Sequence, residues 1–274
     1  MKPTLQACLC LLAPLLNAKE APVQIRLISE RDGIHPGESF RLGLHIQHNK
    51  GWHTYWKNPG DVGLAPSIKW KLPEGFEASP FLWASPELHK MGIIDVQAYH
   101  GTVTHVIPMK APPHLKYGTQ ITLKGRASWL MCSKQCIPAF EDISITLPVL
   151  KQPIQVSKWQ GQFSRTLGSQ PTDVAGWTLS ARTRGERIEL EVKSAKTLPP
   201  PPAAPWFFCD ENHITTQTPP EYKPNGHILL IRMNKTEWAP GKIPRLTGHL
   251  YSKTGWDPKG TLKNLRVDLP LDTH

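Results

Sequence analysis

The sequence predicts an all-β protein built as two antiparallel β-sandwich domains, and three observations carry that expectation. Apolar and polar residues alternate with a period of two almost wherever a period is readable, glycine and proline turn signals recur between the alternating runs, and a single segment shows helical spacing. Short strands separated by frequent turns are the pattern of a sandwich, not of a parallel sheet wound with helices. A length of 274 residues suits two domains of the usual ~100 to 200 residues.

In chain order, Met1-Lys-Pro-Thr-Leu-Gln6 is a short basic start, Ala7 to Leu16 is apolar apart from a proline, and Leu16-Asn-Ala18 ends in a small residue. This is the pattern of a secretory signal peptide over residues 1–18, cleaved after Ala18. Cys8 lies too near the start to be a lipoprotein site. Nothing later approaches the ~20 apolar residues that a membrane-spanning helix needs. The expectation is an exported, soluble chain that is not itself transmembrane.

The first domain is expected over residues 19–150. Phe40, Leu42, Leu44 and Ile46 alternate with Arg41, Gly43, His45 and Gln47; Ile121, Leu123, Ala127 and Trp129 share one parity; Ile143, Ile145 and Leu147 repeat the pattern. Each run reads as a strand with one buried and one wet face. Asn58-Pro-Gly-Asp61, Leu72-Pro-Glu-Gly75 and Ala111-Pro-Pro113 supply turns, with Asp61 read as a turn-capping carboxylate and not as an acid catalyst. A linker over 151–171 holds the helical segment, where Val156, Trp159, Phe163 and Leu167 are spaced by three or four residues.

The second domain, expected over 172–274, opens with a hairpin in which Trp177, Leu179 and Ala181 face Ile188, Leu190 and Val192 across Arg184-Gly185. Further strands are expected at His227 to Met233, Arg245 to Tyr251 and Leu265 to Leu269. Pro199 to Pro202 lack amide donors and must be extended or loop. Asp210-Glu-Asn-His213 reads as a polar loop after a buried Trp206-Phe-Phe-Cys209 strand, since neighbours on an extended chain point to opposite faces.

Basic residues outnumber acidic ones by ten. They are scattered, with no zinc finger, RNA-binding motif or basic run, so nucleic acid is not an expected partner. The charge reads as a solvated surface.

Of five cysteines, three lie beyond the leader, too few for a scaffold of staples. Cys209, beside aromatic residues, reads as a small buried hydrophobe. Cys132 and Cys136, in Trp129-Leu-Met-Cys-Ser-Lys-Gln-Cys-Ile-Pro138, form a pair able to open and close as a disulfide. Bonding needs Cβ atoms about 3.5 to 4.5 Å apart, which two positions on one straight strand do not give. Ser133 to Gln135 are therefore placed in a turn. Lys134 either favours a neighbouring thiolate or is an ordinary exposed turn lysine. A small closed loop gains little from a permanent staple.

The stretch Gly51-Trp-His-Thr-Tyr-Trp-Lys-Asn-Pro-Gly-Asp-Val-Gly-Leu-Ala-Pro66, with Ile68-Lys-Trp-Lys-Leu-Pro-Glu-Gly-Phe76, Tyr99-His-Gly101 and the cysteine segment, resembles the amino-terminal periplasmic domain of the DsbD family. The likeness is nearest to the ScsB-like branch linked to copper tolerance and covers residues 35–150; the second domain resembles, more weakly, the one that follows in ScsB-like chains. The resemblance implies immunoglobulin-like sandwiches, a periplasmic location, and a cysteine pair that relays electrons from a membrane-embedded thiol reductase to thioredoxin-like proteins, without a cofactor. By position, Cys136 is expected to enter the mixed disulfide and Cys132 to resolve it. Family members carry a cap loop, which maps onto Leu88 to Asp95; Met91, Ile93 and Ile94 are the expected shielding side chains, with Trp129 a further candidate that otherwise packs the core. Full-length members continue into a membrane reductase and a thioredoxin-like domain, whereas this sequence ends at His274; a separate protein is the expected donor.

Two rival readings stand beside the relay. Met131, Cys132 and Cys136 with a nearby histidine suit Cu(I), and a non-catalytic interaction module would keep the disulfide as a fixed staple. His53 and His100 serve as base or ligand if they lie by the cysteines, and otherwise hydrogen-bond or face solvent. Trp52, Tyr55 and Trp56 either line the pair or pack the core.

Overall fold

Residues 21–92 and 94–273 are described by the computed structural model, so the leader expected over 1–18 and the cap residue Ile93 lie outside the described residues. The first unit contains β1 (Val23–Ser29), β2 (Ser39–His48), β3 (Thr54–Tyr55), β4 (Ser67–Lys71), β5 (Glu77–Ala78), β6 (Glu87–Met91), β7 (Ile94–Tyr99), β8 (Thr102–Lys110), β9 (Gln120–Cys132) and β10 (Cys136–Pro148). They form sheets in the orders β1-β2-β8-β5, β10-β9-β4 and β3-β7-β6. The first two face each other as an immunoglobulin-like sandwich.

Alternation builds that core. Phe40, Leu42, Leu44 and Ile46 of β2 pack with Leu123, Ala127 and Trp129 of β9 and with Ile143 and Leu147 of β10. Fully burying each large aliphatic side chain contributes about 1.5 to 3 kcal/mol. The opposite face of β2 is not uniformly wet as the alternation implied: Arg41 and Gln47 are exposed, but Gly43 and His45 are buried. The helix α1 (Gln160–Gly168) covers them, with Phe163 packed on Ile28 and Val106. Gly43 permits that approach, because a Cβ there would meet Thr104 Cγ2 at 2.6 Å and Phe163 Cζ at 3.2 Å. The helix thus lies on the first sandwich as well as leading to the second. It starts later than its spacing suggested: Val156 is exposed and bridges to Arg31.

The second unit contains β11 (Trp177–Arg184), β12 (Arg187–Ser194), β13 (Trp206–Cys209), β14 (Glu221–Asn225), β15 (Ile228–Asn234), β16 (Arg245–Tyr251), β17 (Asn264–Pro270) and β18 (Asp272–Thr273). Its sheets run β14-β15-β12-β11-β18 and β13-β16-β17. Leu179 pairs with Val192 and Ala181 with Leu190, the hairpin register read from sequence. The β11–β18 pairing is parallel; the other strand pairings are antiparallel.

The two cores meet. Phe208 of β13 belongs to the first hydrophobic cluster, where Trp56 packs edge-on against it at 5.9 Å and against His249 at 5.6 Å. The Asn58 amide donates to the carbonyls of Cys209 and Glu211, each at 2.9 Å. Asp61 Oδ2 accepts from the Thr215 hydroxyl at 2.9 Å, the Thr216 amide at 2.8 Å and the Thr216 hydroxyl at 3.0 Å. Lys57 pairs with Asp210 at 2.7 Å. The segment leaving β3 is thereby fastened to the second unit.

Candidate redox site

Cys132 ends β9 and Cys136 begins β10, with Ser133 to Gln135 as the hairpin turn between them, as the geometry of bonding required. The two cysteines are direct cross-strand partners and are joined as a disulfide, their Cα atoms 4.1 Å apart. The closeness has a backbone cause. Cys132 spends both its main-chain groups on His53, donating its amide to the His53 carbonyl at 3.0 Å and accepting the His53 amide at 2.9 Å. In an antiparallel ladder a residue's amide and carbonyl point to the same side, so Cys132 and Cys136 form a non-hydrogen-bonded pair, the kind whose side chains approach most closely.

The His53–Cys132 bridge also attaches the small sheet β3-β7-β6 to the hairpin. Through it, Tyr55 comes under the disulfide. Its hydroxyl donates to Cys132 Sγ at 3.0 Å, lies 3.7 Å from Cys136 Sγ and is 4.0 Å from Met91 Sδ. Burial raises the Tyr55 pKa, so the phenol stays a protonated donor at neutral pH. The two sulfurs are unequally placed: Cys132 is fully buried in a cluster with Tyr55, Val96 and Ala98, whereas Cys136 is exposed.

Met91 and Ile94 pack against that buried cluster from the β6–β7 hairpin, which occupies the stretch onto which the cap loop mapped. Trp129 and Met131 do not join them. Both have the parity opposite to Cys132 along β9 and go into the sandwich core. Trp129 therefore does not cover the pair, and the thioether beside the sulfur chemistry is that of Met91, not Met131. Leu130, on the same parity as Cys132, packs against the site in their place.

Lys134 is exposed in the turn. Trp52 packs against the first core and Trp56 faces the second unit; of the three aromatics, Tyr55 is the one at the sulfurs. Cys209 is a free buried thiol whose pKa burial pushes up to about 12, an inert hydrophobe. The 210–213 loop serves the junction with the first unit through Asp210.

His53 does lie beside the pair, and His100 packs against His53 together with a third ring that the sequence did not single out, His89. His53 Nε2 is 3.4 Å from the Tyr55 hydroxyl. Burial first, and then the neighbouring His89, His100 and His48 rings, lower the His53 pKa to about 4. The His89 pKa is lowered as well, by burial and by His100, against the opposing pull of Glu87 and Asp95. Nothing local singled Tyr55 out from Trp52 and Trp56, since its contact with Cys132 depends on a register between strands far apart in sequence, and His89 carried no motif of its own.

An immunoglobulin-like sandwich with a rim disulfide, one sulfur buried on a phenol and the other open, has the arrangement that thiol:disulfide exchange needs. Residues 24–148 match the family described as thiol:disulfide interchange protein DsbD, N-terminal, and this unit is a DsbD N-terminal-like domain. The fold of the chain is similar to that of the N-terminal periplasmic domain of ScsB from Proteus mirabilis, with a TM-score of 0.63 and 21% identity over 90% of this chain and 93% of that one. The periplasmic chaperone SfaE superposes poorly, at a TM-score of 0.23 and 10% identity over 91% of this chain and 100% of that one. No curated protein matches the sequence. Among the described residues, no helix is long and apolar enough to cross a membrane.

Proposed function

We propose that the Cys132–Cys136 pair relays electrons in the periplasm, accepting them from a membrane-embedded thiol reductase and passing them to thioredoxin-like partners, as a member of the ScsB-like branch. The observation that carries this reading is the asymmetry of the pair: Cys136 is exposed and Cys132 buried. A donor thiolate attacks Cys136 Sγ, the bond to Cys132 breaks, and Cys132 leaves as a thiolate that the Tyr55 hydroxyl stabilises. The donor's second thiol, losing its proton, then attacks the donor sulfur of the mixed disulfide and releases Cys136. The donor is now a disulfide and this domain a dithiol. In the forward step, the Cys136 thiolate attacks a partner's disulfide, and Cys132 resolves the mixed bond.

Met91 and Ile94 limit access to the buried sulfur. The second unit's proposed part, as a domain of its own from residue 172 after a linker over 151–171, is to brace the Trp56 to Asp61 segment, and so to hold Tyr55 in place.

The test is a trapping experiment. Cys132→Ala, incubated with an oxidised thioredoxin-like protein, should accumulate a mixed disulfide through Cys136, and Cys136→Ala should give none. Equal trapping by both variants would remove the assignment of roles. A wild-type disulfide that a thioredoxin-type dithiol fails to reduce at equilibrium would remove the relay.

A further inference from the structure

The sheet face that carries Tyr55 also gathers the three histidines. Thr54 pairs with Tyr99 and Tyr55 with Ala98, a register that continues to set His53 opposite His100. His89 pairs with Val96, which lies on the same face of β7 as Ala98. Ring centroids are 5.6 Å apart for His53 and His100, 4.7 Å for His53 and His89, and 4.5 Å for His89 and His100. One ring nitrogen from each converges so that all three lie within 4.8 Å of one another.

Hydrogen bonding within the protein does not account for this convergence. Among the described residues, the hydrogen-bond and ion-pair contacts of the three rings are the Tyr55 hydroxyl, 3.4 Å from His53 Nε2, and a Glu87 carboxylate oxygen 3.6 Å from His100 Nδ1; Asp95 and His48 act on the group from farther off. Three imidazoles at this separation repel one another when protonated and, when neutral, bring three potential nitrogen donors into one small region. A cation that accepts nitrogen lone pairs resolves both conditions. The Glu87 carboxylate lies 3.6 Å from His100 Nδ1, beyond hydrogen-bond reach but close enough to orient that imidazole after a small side-chain movement. His53 is buried while His89 and His100 are half-buried, so the group is open on one side.

We propose that His53, His89 and His100 form a binding site for a late first-row divalent metal ion of the zinc type, with a fourth coordination position open to water or an incoming group. An all-imidazole donor set selects such ions over magnesium and calcium, which take oxygen ligands. The ion sits beside the disulfide without using its sulfurs, because one hydroxyl, that of Tyr55, reaches both His53 Nε2 and Cys132 Sγ. The site is independent of the relay, since the oxidised protein offers no thiolate there.

Zn(II) titration of the full, disulfide-oxidised chain by calorimetry tests this, with Co(II) absorption as the probe of coordination. The wild type should take one equivalent, with Co(II) giving the visible bands of a low-coordinate nitrogen site. His89→Ala and His100→Ala, both at half-buried positions, should each weaken Zn(II) by more than about tenfold, and Glu87→Gln by about tenfold. The double variant Cys132→Ser/Cys136→Ser should keep wild-type affinity. Absence of stoichiometric binding by the wild type overturns the proposal. So does unchanged affinity in a histidine variant with wild-type circular dichroism, or loss of binding in the cysteine double variant, which would assign the metal to the sulfurs.

Discussion

The Tyr55 hydroxyl donates to Cys132 Sγ, the sulfur that would leave in the proposed attack on Cys136, so its effect should be kinetic as well as thermodynamic. A hydrogen bond to a charged acceptor contributes about 1.5 to 3 kcal/mol. Tyr55→Phe keeps the ring packing and removes the donor. Reduction by dithiothreitol, followed by thiol labelling, should slow by about tenfold or more, and the equilibrium should shift toward the disulfide. A variant as fast as wild type would separate the phenol from the chemistry. The cysteine turn was legible because only a reversal of the chain brings positions four apart into bonding range. Tyr55 was one of three aromatics that could line the pair, but which of the three does so was not legible, because its contact with Cys132 spans 77 residues and no local period encodes it. Met131 misled for a related reason: adjacency in sequence on a strand means opposite faces.

Among elements, the segment after β3 carries more than its turn residues suggested. Asn-Pro-Gly-Asp reads as a turn, and Asp61 does cap backbone, but the amide it caps is that of Thr216 in the second unit. Three hydrogen bonds converge on one carboxylate oxygen. Asp61→Ala should therefore lower stability by about 2 kcal/mol in urea denaturation and raise hydrogen exchange over residues 56–61. An unaltered exchange pattern would show that Trp56 and Asn58 hold the segment without it. The long strands β2, β9 and β16 were readable from alternation. The two-residue strands β3 and β5 were not, since they are too short to show a period and exist only through their partners. The start of α1 was misjudged because Val156 fits the helical spacing while its chain pairs with Arg31.

For the molecule as a whole, buried histidines should dominate the response to acid. Burial lowers the His105 and His249 pKa values to about 3 and those of His45 and His48 to about 4. Between those values and about 6.5 the unfolded chain binds more protons than the folded one. Their stabilising effect is complete above the unfolded value and is lost as pH falls toward the folded one, by about 1.4 kcal/mol per pH unit for each such ring. Denaturation midpoints should fall steeply from pH 6 to pH 4, and His105→Leu, which replaces a ring lacking hydrogen-bond partners among the described residues, should flatten that slope. A slope unchanged by the substitution would place the acid sensitivity elsewhere. Composition disclosed twelve histidines but not which of them the folded chain encloses. The cysteine crosslink has its own bearing on this scaffold. It spans a step of the hairpin where the main chain has no bond to lose, so its cleavage does not require any rung of the ladder to break. Opening and closing that bond therefore asks nothing of the main-chain ladder on either side of it.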